Sequence, residues 1–369
     1  MSESKIKTES TWLGENTEEG FLISTLASRT AGWLDASGPQ SDIIISTRIR
    51  LARNLSDTQF TGKAGNMELE LSAEKIYGAV ESSQTLQNAV RFEMNELQEL
   101  DKRVLMERRL ISPDFVECDR PAGVVIGRDE AISLMINEED HLRIQALCSG
   151  LAIFDIYDYI ANLDDEIGSQ LEYAFSDHFG YLTSCPTNTG TGMRVSVFIH
   201  LPALSMAGEI EQVIRDLVPS EIAIRGFYGE GSEVMGHIFQ VSNQLTLGRT
   251  EKRILDRMEQ VANKLLEMEK TARTKLFENN RIVIKDKVAR AKATIKSSLL
   301  IESVELVNLL SLIRIGVHLG MIENVSYKTL NELLVLMQPA HIQKCLKKKM
   351  ESQQRDEIRA KMLRKYLSL

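Results

Sequence analysis

The chain has 369 residues, 43% apolar and 26% charged, enough for two or three packed domains around a large core. Its net charge of −8 argues against generic attraction to nucleic acid or anionic lipid, and no apolar run is long enough to span a bilayer. The charge is uneven, however: from Lys344 to Lys365 basic residues outnumber acidic ones, so the C-terminal end is suited to an anionic partner.

Residues 1 to about 40 scatter Gly, Ser and Thr and read as weakly structured; Trp33 and Leu34 before Ser37-Gly38-Pro39 mark an anchored turn. Residues 42–50 are β-branched, bounded by Gly and Pro, and read as the first strand. Residues 68–110 carry helical spacing, as in Leu97, Leu100, Val104 and Leu105. The apolar runs 124–126 and 132–136 flank Gly127-Arg128-Asp129-Glu130 as a hairpin. Segments 142–151 and 171–179 read as helices. A strand at 195–201 ends at Pro202, a short strand at 219–225 enters a glycine-rich loop, and 237–243 is a further strand. After Gly248 the texture changes. Ile254, Met258, Val261, Leu265 and Met268 recur at three- and four-residue intervals, predicting one long charged helix over 251–279. Val304, Leu306, Leu310 and Ile313, then Leu330, Leu333, Leu334 and Met337, continue that pattern. Strands and helices do not alternate regularly before residue 250. The expected class is therefore α+β, a mainly antiparallel sheet flanked by helices, followed by an all-α domain. The expected division is an N-terminal segment 1–40, a catalytic domain 41–265 and a helical domain 266–369.

The four cysteines, Cys118, Cys148, Cys185 and Cys345, are far apart and include no C-x-x-C pair, which disfavours a zinc site and suits a reducing cytoplasm. The polar N-terminus lacks the apolar stretch of a signal peptide.

Several short patterns carry chemistry, each with an ordinary alternative. Asn137-Glu138-Glu139-Asp140-His141-Leu142-Arg143 concentrates three acids, a histidine and an arginine. Glu139 and Arg143 share a face if the backbone coils there, and surface decoration would explain the cluster equally. His141 reads as a structural histidine. Arg48 and Arg50 alternate, so a strand points both guanidiniums one way, where phosphate oxygens suit the bidentate fork; on spacing alone a solvated face or a pair of salt bridges is the better reading. The loop 187–192, Thr-Asn-Thr-Gly-Thr-Gly, lets backbone amides approach a ligand and leads into Arg194. It is not a Walker A loop, and the protein-kinase motif set is missing. Arg225-Gly226-Phe227-Tyr228-Gly229-Glu230-Gly231 is a loop able to close over a substrate, or simply a surface loop. Cys185, ahead of Pro186, is a small apolar residue unless neighbouring arginines favour its thiolate.

Taken together and in chain order, these motifs resemble those of phosphagen kinases from about residue 40 to about residue 250. The resemblance implies that Arg48, Arg50, Arg143, Arg194 and Arg225 hold ATP phosphates. It further implies that Glu139 and Glu230 grip a guanidinium and that Cys185 is the family's active-site cysteine. Phe198 and Arg109 stand where small-substrate members carry histidines near the nucleotide. Only about 40 residues precede the first strand, so the helical domain that helps enclose a free guanidino substrate is not expected. These departures, and Arg355-Asp356-Glu357-Ile358-Arg359-Ala360 near the C-terminus, are similar to the bacterial protein-arginine kinase (McsB) branch, whose R-D-x-x-R-A motif binds phosphoarginine through positions matching Arg355, Asp356 and Arg359. Without that match, a basic helix surface paired with Asp356 would explain the motif.

The resemblance implies an ATP- and Mg²⁺-dependent protein-arginine kinase with no protein-held metal. Glu139 would be base and orienter, Glu230 the second clamp, and Cys185 would tune the environment of the guanidinium. It also implies a cytoplasmic, allosteric stress-response enzyme that marks misfolded proteins and a CtsR-type repressor for the ClpC–ClpP protease. A McsA-type activator and a homodimer or larger assembly belong to the same expectation, with no membrane or direct nucleic-acid partner. The alternatives are a kinase for free arginine or another small guanidino compound, and a non-catalytic phosphoarginine-binding adaptor.

Overall fold

The computed structural model describes residues 23–217, 221–226 and 235–368. Its strands are β1 (Ile44–Arg53), β2 (Val90–Glu93), β3 (Gly123–Ile126), β4 (Ile132–Ile136), β5 (Leu142–Ser149), β6 (Phe175–Ser176), β7 (Gly180–Tyr181), β8 (Met193–His200), β9 (Ile222–Arg225) and β10 (Ile238–Asn243). Its helices are α1 (Ile23–Ser28), α2 (Asn66–Ser82), α3 (Glu99–Glu107), α4 (Pro113–Val116), α5 (Ile153–Gly168), α6 (Pro202–Met206), α7 (Ile210–Leu217), α8 (Glu251–Ser297), α9 (Ser303–His318), α10 (Tyr327–Leu336), α11 (Pro339–Cys345) and α12 (Ser352–Leu367). Eight strands form one sheet in the order β2-β3-β4-β5-β1-β8-β10-β9, with every neighbouring pair antiparallel. The α+β expectation holds, and no strand follows residue 243 among the described residues.

The two-residue period of the strands divides this sheet chemically. Ile49 and Leu51 on β1 pair with Val195 and Met193 on β8 and with Ala146 and Ile144 on β5. All six are buried in one core with α2, α5 and the first half of α8. The intervening residues, Arg48 and Arg50, face the other way, with Arg50 directly opposite Arg194. The second core holds the far half of α8, α9, α10 and α12; Trp33 and Leu34 of the anchored turn and Leu147 and Phe198 of the sheet join it. The helical region therefore packs against one end of the arginine-bearing face. A third core packs α1, α3 and α4 on β3 and β4.

Two expected helices are absent. Residues 142–149 form β5, whose two faces are both covered, so the segment reads as a nearly continuous apolar run in which alternation is obscured. Residues 171–179 are irregular apart from β6, and the helix lies upstream in α5, where Ile153, Ile156, Ile160, Leu163 and Ile167 are buried at helical spacing. The segment 68–110 is interrupted by β2 between α2 and α3. The long helix α8 continues past 279 to Ser297, with one non-helical residue, Asn280 (φ −128°, ψ 30°). None of the described helices is long and apolar enough to cross a membrane.

Candidate active site

Cross-strand neighbours in an antiparallel sheet share a face, about 4.5–5.5 Å apart at Cβ. The register therefore gathers Arg143 of β5, Arg48 and Arg50 of β1, Arg194 of β8 and Arg225 of β9. Gln240 of β10 pairs with both Phe198 and Arg225, which extends the same face to the sheet edge. All five arginines line one cavity of about 1250 Å³, together with Glu139, Cys185, Asn188, Arg109 and Gln145.

Like charges so close repel. Burial, reinforced by Arg109, Arg143 and Arg194, pulls the Arg48 guanidinium down to about 9. Arg50 is pushed in the same direction by burial and then by Arg48, Arg143 and Arg194, with Glu138 opposing. A guanidinium does not give up its proton near neutral pH. The strain therefore persists as unneutralised positive potential, which a polyanion would satisfy. Arg50 makes no ion pair with any described residue.

The acidic side is built by the turn between β4 and β5. Asn137 holds a left-handed conformation (φ 56°), which asparagine tolerates. Its Nδ2 donates to Leu69 O at 2.7 Å and Pro121 O at 3.0 Å, pinning the turn. Glu139 and Arg143 do not share a helix, yet the hairpin still brings them together: Arg143 Nη2 lies 2.7 Å from Glu139 Oε2, and Nη1 lies 2.7 Å from Glu138 Oε2. Glu138 is buried, whereas the Glu139 side chain is 40% exposed and remains open to a ligand. Asn188 Nδ2 donates to Glu139 Oε2 at 3.2 Å, tying the Thr/Gly loop to the carboxylate. His141 is buried between Leu55 N, which donates to Nδ1 at 3.1 Å, and Gln59 O, 3.0 Å from Nε2.

The loop holding Cys185 is fixed by Thr246, whose hydroxyl donates to Thr187 O at 3.0 Å and Thr189 O at 2.7 Å. Gly190 (φ 116°) sits so close that an added Cβ would lie 2.5 Å from Thr246 O, so a side chain there would displace the loop. The Cys185 thiol is 3.0 Å from the Thr187 hydroxyl.

The remaining expected residues fall differently. Phe198 is 6% exposed and packs in the second core; the Arg109 guanidinium covers its ring at 4.7 Å. Glu230 lies outside the described residues. Arg355 lines the cavity, but Arg359 is 1% exposed: its Nε donates to Met337 O at 2.9 Å and its Nη1 to Ile301 O at 2.7 Å and Asp356 Oδ1 at 2.5 Å. The two arginines of the motif thus have different settings, one on the cavity wall and one buried. Glu138, Gln145 and Gln240 were not singled out from the sequence. Gln145 follows Arg143 by two, a signal visible only once that segment is read as a strand.

The model of the ATP:guanido phosphotransferase C-terminal catalytic domain matches residues 72–272, and that of the protein-arginine kinase McsB C-terminal domain matches 281–369. The protein-arginine kinase of Shouchella clausii is 41% identical over 91% of this chain and 95% of its own length. The chain belongs to the protein-arginine kinase family. The protein-arginine kinase of Bacillus pumilus is 42% identical, covering 91% of this chain and 93% of that one. Among solved structures, lombricine kinase superposes with a TM-score of 0.58 at 21% identity, covering 66% of this chain and 70% of that chain, a likeness of fold. Within this ATP:guanido phosphotransferase family, Asn280, where α8 departs from helical geometry, falls between the two matched segments.

Proposed function

We propose that the chain transfers the γ-phosphoryl group of ATP to arginine side chains of proteins, marking them for regulated proteolysis. The observation that carries this reading is the opposition, inside one cavity, of a five-arginine wall and the open carboxylate of Glu139. At about 1250 Å³ the cavity exceeds the usual 300–1,000 Å³ of a small-ligand site. That leaves room for a nucleotide and a second substrate together.

In this reading Arg48, Arg50, Arg143, Arg194 and Arg225 hold the phosphates through bidentate forks. Mg²⁺ would be held by the nucleotide's phosphate oxygens rather than by the guanidinium wall, and would offset part of the phosphate charge. Arg109 faces the adenine side, with Phe198 beneath its guanidinium as support. Arginine is a poor nucleophile because its pKa lies above about 12. Glu139 orients the target guanidinium and takes one N–H proton as the N–P bond forms and the bond from γ-phosphorus to the ADP oxygen breaks. Glu230 is the second clamp, a role resting on its motif, and Cys185 tunes the guanidinium's surroundings. Alignment against a fixed wall supplies much of the rate.

The chain divides into a catalytic domain at 41–265 and a helical domain at 266–369, in which Arg355, Asp356 and Arg359 form a phosphoarginine-responsive element, Arg355 as its contact on the cavity wall and the buried Arg359–Asp356 pair as its brace. Family resemblance supports a cytoplasmic, allosterically controlled stress-response enzyme working as a homodimer or larger assembly. It also supports misfolded proteins and a CtsR-type repressor as substrates, a McsA-type activator and the ClpC–ClpP protease.

Glu139→Ala tests the assignment: phosphoarginine, followed by acid-sparing mass spectrometry on an arginine-rich protein, should vanish while ATP binding persists. Near-normal turnover would remove Glu139 from the mechanism. Free arginine accepted in preference to the protein would favour the small-substrate reading.

A further inference from the structure

A second cavity, about 520 Å³, lies where β9 and the end of β10 meet the first turns of α8. Its wall carries four cations, Arg249, Lys252, Arg253 and Arg257, against two acids, Glu221 and Asp256. Arg249 Nε donates to Glu221 Oε2 at 3.0 Å. The Glu221 carboxyl is held below its usual range, first by that hydrogen-bonded arginine and then by the charges of Arg249, Arg253 and Arg257. Arg249 is paired with Glu221, and Arg253 and Arg257 add their charge to the same wall. Lys252, Arg253 and Arg257 make no ion pair with any described residue, and Leu245 on the same wall is 44% exposed. The groove has the chemistry of a site for carboxylates carried on a partly apolar chain.

Its position gives it a use. Gln244 lines the main cavity, while its neighbours Asn243 and Leu245 line the groove. Side chains alternate along this segment, so the groove opens on the α8 side of the sheet, opposite the arginine wall, with the end of β10 between the two. A polypeptide would reach from one to the other around the end of β10.

We propose that this groove is an exosite for acidic residues of the protein substrate, a few positions along the chain from the target arginine. The proposal rests on the protein-arginine kinase reading and names a sequence preference within it. It also explains how a protein of net charge −8 would engage acidic segments: locally, through a basic patch across the sheet edge from the reaction site.

The test uses the full-length protein and Arg253→Glu/Arg257→Glu, two exposed positions outside the arginine wall. Two peptides carry the same arginine, one followed by Asp and Glu, the other by Asn and Gln. The wild type should phosphorylate the acidic peptide with a kcat/KM on the order of tenfold higher, as two or three exposed ion pairs allow, and the advantage should shrink with added salt. The double variant should lose that advantage and keep its rate on the neutral peptide. An equal rate of the wild type on both peptides, or an equal loss on both in the variant, overturns the proposal. Fluorescence anisotropy with the acidic peptide bearing lysine in place of arginine provides a second readout independent of turnover: binding should weaken in the double variant, and unchanged binding also overturns the exosite. If neither peptide is phosphorylated, the kinase reading fails while the binding arm still decides the groove. Preferential capture of a single-stranded oligonucleotide over the acidic peptide would assign the groove to nucleic acid instead and refute the proposal.

Discussion

Arg359→Met separates the two arginines of the C-terminal motif, because the structure gives them different work. The Arg359 guanidinium is 1% exposed and donates to two backbone carbonyls, Met337 O and Ile301 O, and to the Asp356 carboxylate. Methionine fills much of the same volume but donates nothing. The loss leaves two acceptors and one carboxylate, itself only 15% exposed, without their donor. Breaking a buried charge pair by removing one partner costs about 3–5 kcal/mol, and the orphaned carbonyls keep the figure near the top of that range. Arg355 is half-buried and, among the described residues, its side chain donates to Met350 O alone, so Arg355→Met should cost about 1 kcal/mol or less. Urea unfolding followed by tryptophan fluorescence, in a Trp12→Phe background, measures both. Trp33 then reports from the core it shares with Ala360 and Leu363. Arg359→Met/Asp356→Leu should recover part of the loss, since the stranded carboxylate goes with it. If Arg359→Met lies within about 0.5 kcal/mol of Arg355→Met, the buried brace is not a structural element and the reasoning is wrong.

Arg50→Gln should lower kcat/KM at least about 100-fold by removing a phosphate ligand, yet raise the melting temperature of the nucleotide-free protein, because it relieves repulsion from Arg48, Arg143 and Arg194. A fall in melting temperature would contradict the picture of a strained cationic wall. ATP should raise the melting temperature of the wild type by linkage, about 2.7 kcal/mol at a hundred times its Kd, and far less in Arg50→Gln; equal shifts would place the nucleotide elsewhere. His200 and His341 are both held below the ordinary histidine value, chiefly by burial. A histidine with a depressed folded pKa takes up its proton on unfolding. Its contribution is therefore complete above about pH 6.5 and is lost as pH falls toward the folded value, up to about 1.4 kcal/mol per pH unit for each group. Urea unfolding at pH 7.5 and 5.5 should show that loss, reduced in His200→Gln, and a flat profile would refute it.

Much of this was legible in the sequence because local patterns dictated it. The hairpin around Gly127, the strands at 195–201 and 237–243 and the long α8 all carry a clean period or a hard punctuation mark. The cavity residues were legible for a different reason: guanidiniums and a carboxylate recur in short motifs whose joint order is informative even where each is ordinary alone. What failed was segment 142–151. A strand covered on both faces loses its alternation, so Arg143 looked like a helical partner of Glu139 when a five-residue turn brings the pair together. The burial of Arg359 was illegible because its acceptors are backbone carbonyls from residues 301 and 337, which no spacing within the motif encodes.

Three consecutive residues at the end of α3 show how the parts of the molecule are joined. Glu107 accepts from the backbone of Ala340 at 2.8 Å and His341 at 2.9 Å, capping α11, and contacts His341 Nδ1 at 2.7 Å. Arg108, fully buried, donates through Nη2 to Glu130 Oε1 at 2.6 Å and so locks the hairpin between β3 and β4. Arg109, in a left-handed conformation (φ 66°), turns its guanidinium over Phe198 and into the main cavity. One short stretch of backbone therefore anchors a helix of the C-terminal region, a sheet hairpin and part of the cationic wall. Arg108 and Glu130 are matched as a buried ion pair, and the Glu107 carboxylate is met by the backbone N–H groups of Ala340 and His341 and by the His341 ring, which limits the cost of burying it. Arg109 brings the positive charge of the three to the ligand space, which Glu107 also lines. The helical region is thus connected to the phosphate-facing wall by adjacent residues rather than by a long relay, and rearrangement at α11 has a direct mechanical route to the cavity.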